Sequence, residues 1–238
     1  MSITRLLDRQ TVAEGTMAFR LERPAGFSYK PGQSVDLTLA NPPETDAEGI
    51  VRTFSLASDP VEADLLIATR MRNSAFKRVL KNMPLGSPLE LDGPHGDFVL
   101  PNRPKRTIVQ LAGGIGITAF HGIALQAARE QLGHRIVLFY GNRRPEDAAF
   151  LKELLDLQAK NARFTCVPVM SDMEHSSLPW DGARGVITGP LLADCLRDAS
   201  EPLYYMAGPP AMITALRTTL HQNGVEDDDI RVEEFAGY

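Results

Sequence analysis

The stretch TIVQLAGGIGIT, residues 107–118, decides the reading of the second half of this chain. Its opening residues are almost wholly apolar, as in a strand buried on both faces. Gly113-Gly114-Ile115-Gly116 breaks that run, and a helix is expected from Thr118 to Gln131. Glycines at such a turn let the backbone approach a pyrophosphate, and the free N–H groups of a helix start favour an anion. Gly114, Gly116 and Ala119 fit the G-x-G-x-x-A spacing of nucleotide-binding turns. A turn that merely packs its helix against its strand would leave the same trace, so the rest of the chain must decide.

Downstream, the pattern alternates. Strands are expected at 135–140, 164–169, 203–207 and 230–235, with helices at 145–157, 190–197 and 209–223 between them. Strands alternating with helices predict a doubly wound parallel sheet. A second glycine turn, Gly208-Pro209-Pro210, again falls between a strand and a helix. In such a sheet both turns lie at the carboxyl ends of strands, where nucleotides bind.

Upstream the grammar differs. Val35, Leu37 and Leu39 alternate with Asp36 and Thr38 after Pro31-Gly32, and short apolar runs recur at 19–21, 52–57, 65–69 and 89–91. A single helix is expected at 74–81, with Ser74 as its cap. Many short strands with one helix predict an antiparallel barrel or sandwich. The prolines of PNRPK, 101–105, mark a linker. The expected organisation is α+β in two domains, a barrel over 1–101 and an α/β unit over 105–238.

Composition sets the limits. The 238 residues are 43% hydrophobic and 23% charged, with 19 Gly and 17 Pro, which suits a packed, turn-rich protein. A net charge of −5 argues against a nucleic-acid binder. No apolar run approaches the ~18 residues of a membrane span, and MSITRLLDRQ lacks a leader's apolar core. Cys166 and Cys195 cannot build a disulfide scaffold or hold a cluster that needs four thiolates, and no metal-ligand spacing is present. The expectation is a cytoplasmic protein without a metal.

The first half adds two chemical features. Arg52-Thr53-Phe54-Ser55 puts an anion donor, an aromatic face and a hydroxyl on one strand. Arg70, Arg72, Lys77, Arg78 and Lys81 then cluster around the helix that Ser74 opens, either as a solvated basic face or as a phosphate site with a docking surface.

RTFS (52–55), the basic run to Ser74-Ala75, GGIGIT (113–118), MAGPP (206–210) and EEF (233–235) follow the order of motifs in the ferredoxin–NADP reductase family. The chain resembles its compact form, which implies a flavin-binding antiparallel Greek-key barrel followed by a pyridine-nucleotide domain. The resemblance implies that Arg52 pairs with a flavin phosphate, Phe54 packs on the isoalloxazine and Ser55 bonds to its N5. Thr53 lies on the same strand. Ser74 and the Ala75 amide would hold the FAD pyrophosphate, with Arg70 or Arg72 nearby. Gly113, Gly114, Gly116 and Thr118 would cradle the nicotinamide nucleotide, with Gly208 and Pro209 at its nicotinamide end. Glu233 matches the family's acidic residue beside the two rings, and Phe235 and Tyr238 are the aromatics of the chain end.

This sequence departs from the family at Phe54, usually tyrosine, at Ala207, often cysteine, and at Leu56, which weakens any choice between FAD and FMN. Arg143 and Arg144 suit a 2′-phosphate, whereas Asp172 after Ser171 repels one; the reading leans to NADH. The implied activity is an FAD-dependent NAD(P)H oxidoreductase. With no cluster domain in the chain, its electrons would go to a separate redox protein such as ferredoxin, flavodoxin or an oxygenase component. The alternatives are a reductase of free flavin and a non-catalytic electron-transfer or nucleotide-sensing subunit.

Overall fold

Two six-stranded sheets organise the chain in a computed structural model that describes residues 1–102 and 106–235. The first contains β1 (Ser2–Ala13), β2 (Thr16–Glu22), β3 (Ser34–Leu39), β4 (Val51–Ser55), β5 (Asp64–Arg70) and β6 (Pro88–His95). Their order is β4-β3-β6-β1-β2-β5, with every pair antiparallel. Beyond β4, the Ala57 N–H donates to Leu66 O at 2.7 Å and draws the two edges together. The sheet therefore curls around Leu6, Phe19, Leu37, Leu56, Ile67 and Leu89. Period-2 alternation sends Val35, Leu37 and Leu39 inward, as their spacing predicts. One helix, α1 (Ala75–Asn82), covers an end of this core with Phe76, Val79 and Leu80.

The longest strand is the one the sequence hid. β1 occupies the N-terminal stretch read above only as lacking a leader, and it joins β2 to β6 at the centre of the sheet order. Arg5, Asp8 and Arg9 interrupt its apolar pattern, but Leu6 is fully buried and the Thr4 hydroxyl donates to Glu22 O at 2.7 Å.

The second sheet is wholly parallel. It comprises β7 (Ile108–Gly113), β8 (Ile136–Asn142), β9 (Phe164–Met170), β10 (Ala183–Arg184), β11 (Leu203–Gly208) and β12 (Ile230–Glu234), in the order β10-β9-β8-β7-β11-β12. α2 (Thr118–Glu130), α3 (Leu151–Lys160), α4 (Gly189–Cys195) and α5 (Pro210–Gln222) cover its faces. Ile108, Leu138 and Tyr140 pack on Phe120 and Leu154, while Val109, Leu111 and Met206 pack on Ile213 and Leu216. Each such burial contributes about 1.5–3 kcal/mol. The chain runs outward from β7 in both directions, which puts the switch point between β7 and β11.

The single helix expected over 145–157 is instead two pieces. A short 3₁₀ turn at Pro145–Asp147 ends before Phe150, whose φ of 59° breaks the helix, and α3 starts at Leu151. The bend stacks Phe150 on His121 of α2 with centroids 4.2 Å apart.

Several contacts fix the two sheets together. His121 Nδ1 meets Ala57 O at 2.7 Å and Nε2 meets Glu153 at 3.0 Å. Arg129 of α2 grips the buried Asp59 carboxylate with both ends of its fork, at 2.7 and 2.9 Å. Gly122 is bare for a reason, since a Cβ there would stand 2.6 Å from Ser58 O. Phe98, which follows β6, packs on Phe120 and Tyr205 and so belongs to the second core. The segment after Ser55 is thus held directly against the helix that follows the glycine turn.

Candidate functional site

The two glycine turns abut at the switch point. A Cβ on Gly116 would lie 2.2 Å from the carbonyl oxygen of Ala207, and one on Gly208 would lie 3.1 Å from Gly113 Cα. The turn after β7 is a 3₁₀ helix, Gly114–Ile117, entered through Gly114 in the left-handed region at φ 51°. The Thr118 hydroxyl donates to Ile115 O at 2.9 Å and is buried.

The expected glycine roles therefore divide. Gly113 and Gly114 line a cavity of about 1200 Å³ at the carboxyl ends of the strands. Gly116 and Thr118 do not line it: Gly116 packs against Ala207, and the Thr118 hydroxyl closes the turn. Pro209 lines the same cavity. Asn142, Arg143, Ser171 and Thr188 contribute from the β8–β10 side, and Gly15, Arg70, Met71 and Arg72 contribute from the barrel. The cavity is shared by the two sheets, an arrangement that no local pattern announced.

The basic cluster is less exposed to partners than its sequence suggests. Arg70 faces Asp147 at 3.5 Å, and Arg78 is clasped by Glu44 at 2.6 Å. Burial, with Arg72 and Arg52 nearby, pulls the Lys77 ammonium below its usual range. Arg70 and Arg78 are thus each paired with a carboxylate of the chain.

The RTFS strand lies as alternation requires. Phe54 is buried in the barrel core, with its ring centroid 5.9 Å from Phe76, while Thr53 points outward and donates to Asp36. Arg52 lies over the Phe76 ring at 5.4 Å and pairs with Glu48 at 2.7 Å, not with open solvent. Ser74 caps α1, accepting from the Lys77 N–H at 3.4 Å. The Ala75 N–H, assigned above to a pyrophosphate, donates to Asp46 Oδ2 at 2.6 Å.

Two buried polar atoms lack partners at positions where the family resemblance places chemistry. Ser55 Oγ is sealed in the protein without a hydrogen bond, and so is Glu233 Oε2 on β12. An unpaired buried hydroxyl or carboxyl is costly, about 1–3 kcal/mol for a neutral group. Groups left in that state fit a site completed by a bound molecule. Glu233 sits beside Ala207 in the β11–β12 register, next to the second glycine turn. Phe235 follows it, its N–H donating to Gly208 O at 3.2 Å. Tyr238 lies outside the described residues. Among the described residues, no group of His, Cys, Asp and Glu could hold a metal ion, and no helix is long and apolar enough to cross a membrane.

Burial pushes the Glu233 carboxyl up to about 7. A carboxyl raised in the fold favours the native state below its unfolded value of 4.5 and loses that contribution as pH rises through about 7. Glu233→Gln, which cannot ionise, should flatten this dependence. Between pH 4 and 8 the wild type should lose up to about 3 kcal/mol more stability than the variant, read from urea denaturation midpoints.

Residues 111–218 match the family of oxidoreductase NAD-binding domains. The chain is 27% identical over 224 residues to the glycine betaine monooxygenase reductase subunit of Chromohalobacter salexigens, covering 93% of this chain and 60% of that one. It is 28% identical over 236 residues to the phenol 2-monooxygenase reductase component of a Pseudomonas strain, covering 98% of this chain and 64% of the other. It thus spans less than two thirds of the length of these relatives. In structure it is similar to a ferredoxin NADP+ reductase from Neisseria gonorrhoeae with bound FAD and NADP, at a TM-score of 0.81 and 21% identity over 98% of both chains. The barrel, the doubly wound sheet, the nucleotide-domain match over residues 111–218 and the five motifs in order all agree with the resemblance to the ferredoxin–NADP reductase family.

Proposed function

We propose that this protein is a flavoprotein reductase that takes hydride from NAD(P)H and delivers electrons to a separate redox partner. Residues 1–101 would carry the flavin and residues 105–238 the nicotinamide nucleotide. One observation carries the reading: a single cavity is bordered by the Gly113-Gly114 turn and Pro209 on one side and by Arg70–Arg72 of the barrel on the other. A donor and an acceptor cofactor bound from opposite sheets would meet there. A bound FAD would supply the chemistry that the side chains lack, accepting hydride at N5 and releasing electrons singly.

The chain's own residues have separate duties. Ser55 would offer its buried, unpartnered hydroxyl to a bound flavin, and Phe54 backs that strand through its contact with Phe76. Arg70 and Arg72 add positive charge at the cleft edge. Gly113 and Gly114 admit the nucleotide's phosphates to bare backbone. Glu233, held near neutrality by burial, is able to hold or yield a proton beside the nicotinamide end at working pH.

Nucleotide choice turns on Asp172, which pairs with Arg143 at 2.7 Å and with His175 at 2.6 Å. Hydrogen bonds from His175 and Arg143 draw its carboxyl below the usual range, so Arg143 is engaged and a 2′-phosphate would meet a carboxylate. NADH is the favoured donor. The relatives include reductase components of oxygenases, which supports an oxygenase component as electron acceptor, alongside ferredoxin or flavodoxin. The free thiols of Cys166 and Cys195 suit a reducing, cytoplasmic setting.

A tightly held flavin separates this reading from a reductase of free flavin. The purified protein should stay yellow through desalting, with flavin near one per chain. Complete loss of colour on a desalting column would favour the free-flavin reading.

A further inference from the structure

The donors assigned to the flavin phosphate are already engaged by the chain itself. Asp46 seats one carboxylate oxygen on the Ala75 N–H at 2.6 Å, at the start of α1. Its other oxygen faces Arg52 Nη2 at 3.6 Å, where Glu48 also pairs at 2.7 Å. On the next turn of α1, Glu44 takes the Arg78 fork at 2.6 and 3.0 Å. A carboxylate held between a helix N-terminus and a guanidinium reproduces the surroundings of a bound phosphate. The Ala75 amide holds the Asp46 carboxyl below its usual range, as a phosphate-type anion site should.

The segment carrying these three carboxylates lies on the surface, outside the barrel core. NPPETDAEG, 41–49, places no side chain in the barrel core, and residues 43–48 are exposed. Both of its ends take left-handed backbone, Asn41 at φ 46° and Gly49 at φ 75°, with open space around Gly49. Pro42-Pro43 stiffens the arm between them. Surface ion pairs fasten the arm to α1 and β4, and such pairs exchange readily for a stronger anion.

We propose that 41–49 is a displaceable internal ligand, in which Asp46 holds the flavin-phosphate position until flavin arrives and then swings out about Asn41 and Gly49. The inference rests on the flavin reading of this site. Binding becomes an exchange of one anion for another, so apparent affinity is reduced by the fraction of molecules with the arm closed.

The test is FAD titration of the flavin-stripped full chain, followed by flavin fluorescence quenching, for wild type, Asp46→Asn and Arg52→Gln. Asp46→Asn should bind FAD about tenfold more tightly, as expected for an arm open about one tenth of the time. Arg52→Gln should bind it more weakly. Unchanged or weaker binding by Asp46→Asn, with binding also weakened in Arg52→Gln, would leave the phosphate site standing and overturn the internal ligand. Full FAD affinity in Arg52→Gln would overturn the flavin reading of the site and the arm with it. A second readout uses the unaltered protein: a glutamate-specific protease should cut after Glu44 and Glu48 faster once FAD is added. Equal or slower cutting contradicts displacement.

Discussion

Replacing Ser55 by alanine is expected to slow flavin reduction by about a hundredfold while leaving the flavin-free protein no less stable. The two halves of that result have one origin. The hydroxyl is buried at 3% exposure and has no hydrogen-bond partner within the chain. Removing an unsatisfied buried polar group is neutral or favourable, so the flavin-free variant should gain up to about 1 kcal/mol. Removing a fixed donor at a centre where charge develops costs about 10²–10³ in rate. Stopped-flow reduction of the flavin-loaded variant and denaturation of its flavin-free form measure the two effects separately. A structural serine would lose stability, and the rate would fall only with the folded fraction.

Gly116→Ala should be the most damaging single-methyl change at the switch point. The added carbon would meet Ala207 O at 2.2 Å and Ala207 C at 2.5 Å, and both neighbours are strand backbone. Neither turn can retreat without opening β7 or β11, whose register runs unbroken from Ile108–Leu203 to Ala112–Ala207. Overpacking of this kind costs about 3 kcal/mol, or about 6–12 °C in melting temperature for a chain of this size. Gly113→Ala is the control. Its first contacts are the Sδ at 2.3 Å and Cε at 2.9 Å of Met212, the far end of a flexible side chain, so a smaller loss is expected. Equal losses in the two variants would contradict the packing role given to Gly116.

These positions show how much of the protein was legible in its sequence. GGIGIT announced a strand–turn–helix because glycine clusters are rare inside regular elements. The same letters could not say which glycine serves packing and which the cleft, because that depends on Ala207 and Met212, about ninety residues away. β1 escaped notice because Arg5, Asp8 and Arg9 interrupt its apolar pattern and only Thr4 and Leu6 are buried, so the strand reads as a polar N-terminus. The break before α3 was hidden for another reason: Phe150 suits a helix by composition, yet it takes left-handed backbone where its ring stacks on His121, a contact 29 positions away.

At the candidate site, motif order singled out Arg52, Ser55, Ser74 and Glu233 but said nothing of the partners the fold gives them. Asp46 is 29 positions from Ala75 and lies in a stretch that reads as an ordinary acidic loop. The barrel's share of the cleft, through Arg70 and Arg72, likewise depends on how β5 ends against the second sheet. The ion pairs of Arg70 with Asp147 and of Arg78 with Glu44 arise from tertiary packing, which charge counts along the chain do not reveal.

The most direct measurement is anaerobic titration of the flavin-loaded protein with NADH, followed in the flavin absorbance band. One equivalent of NADH per flavin should bleach that band, and NADPH should require a higher concentration to do the same. A flavin that stays oxidised with both nucleotides in excess would contradict hydride transfer across this cleft.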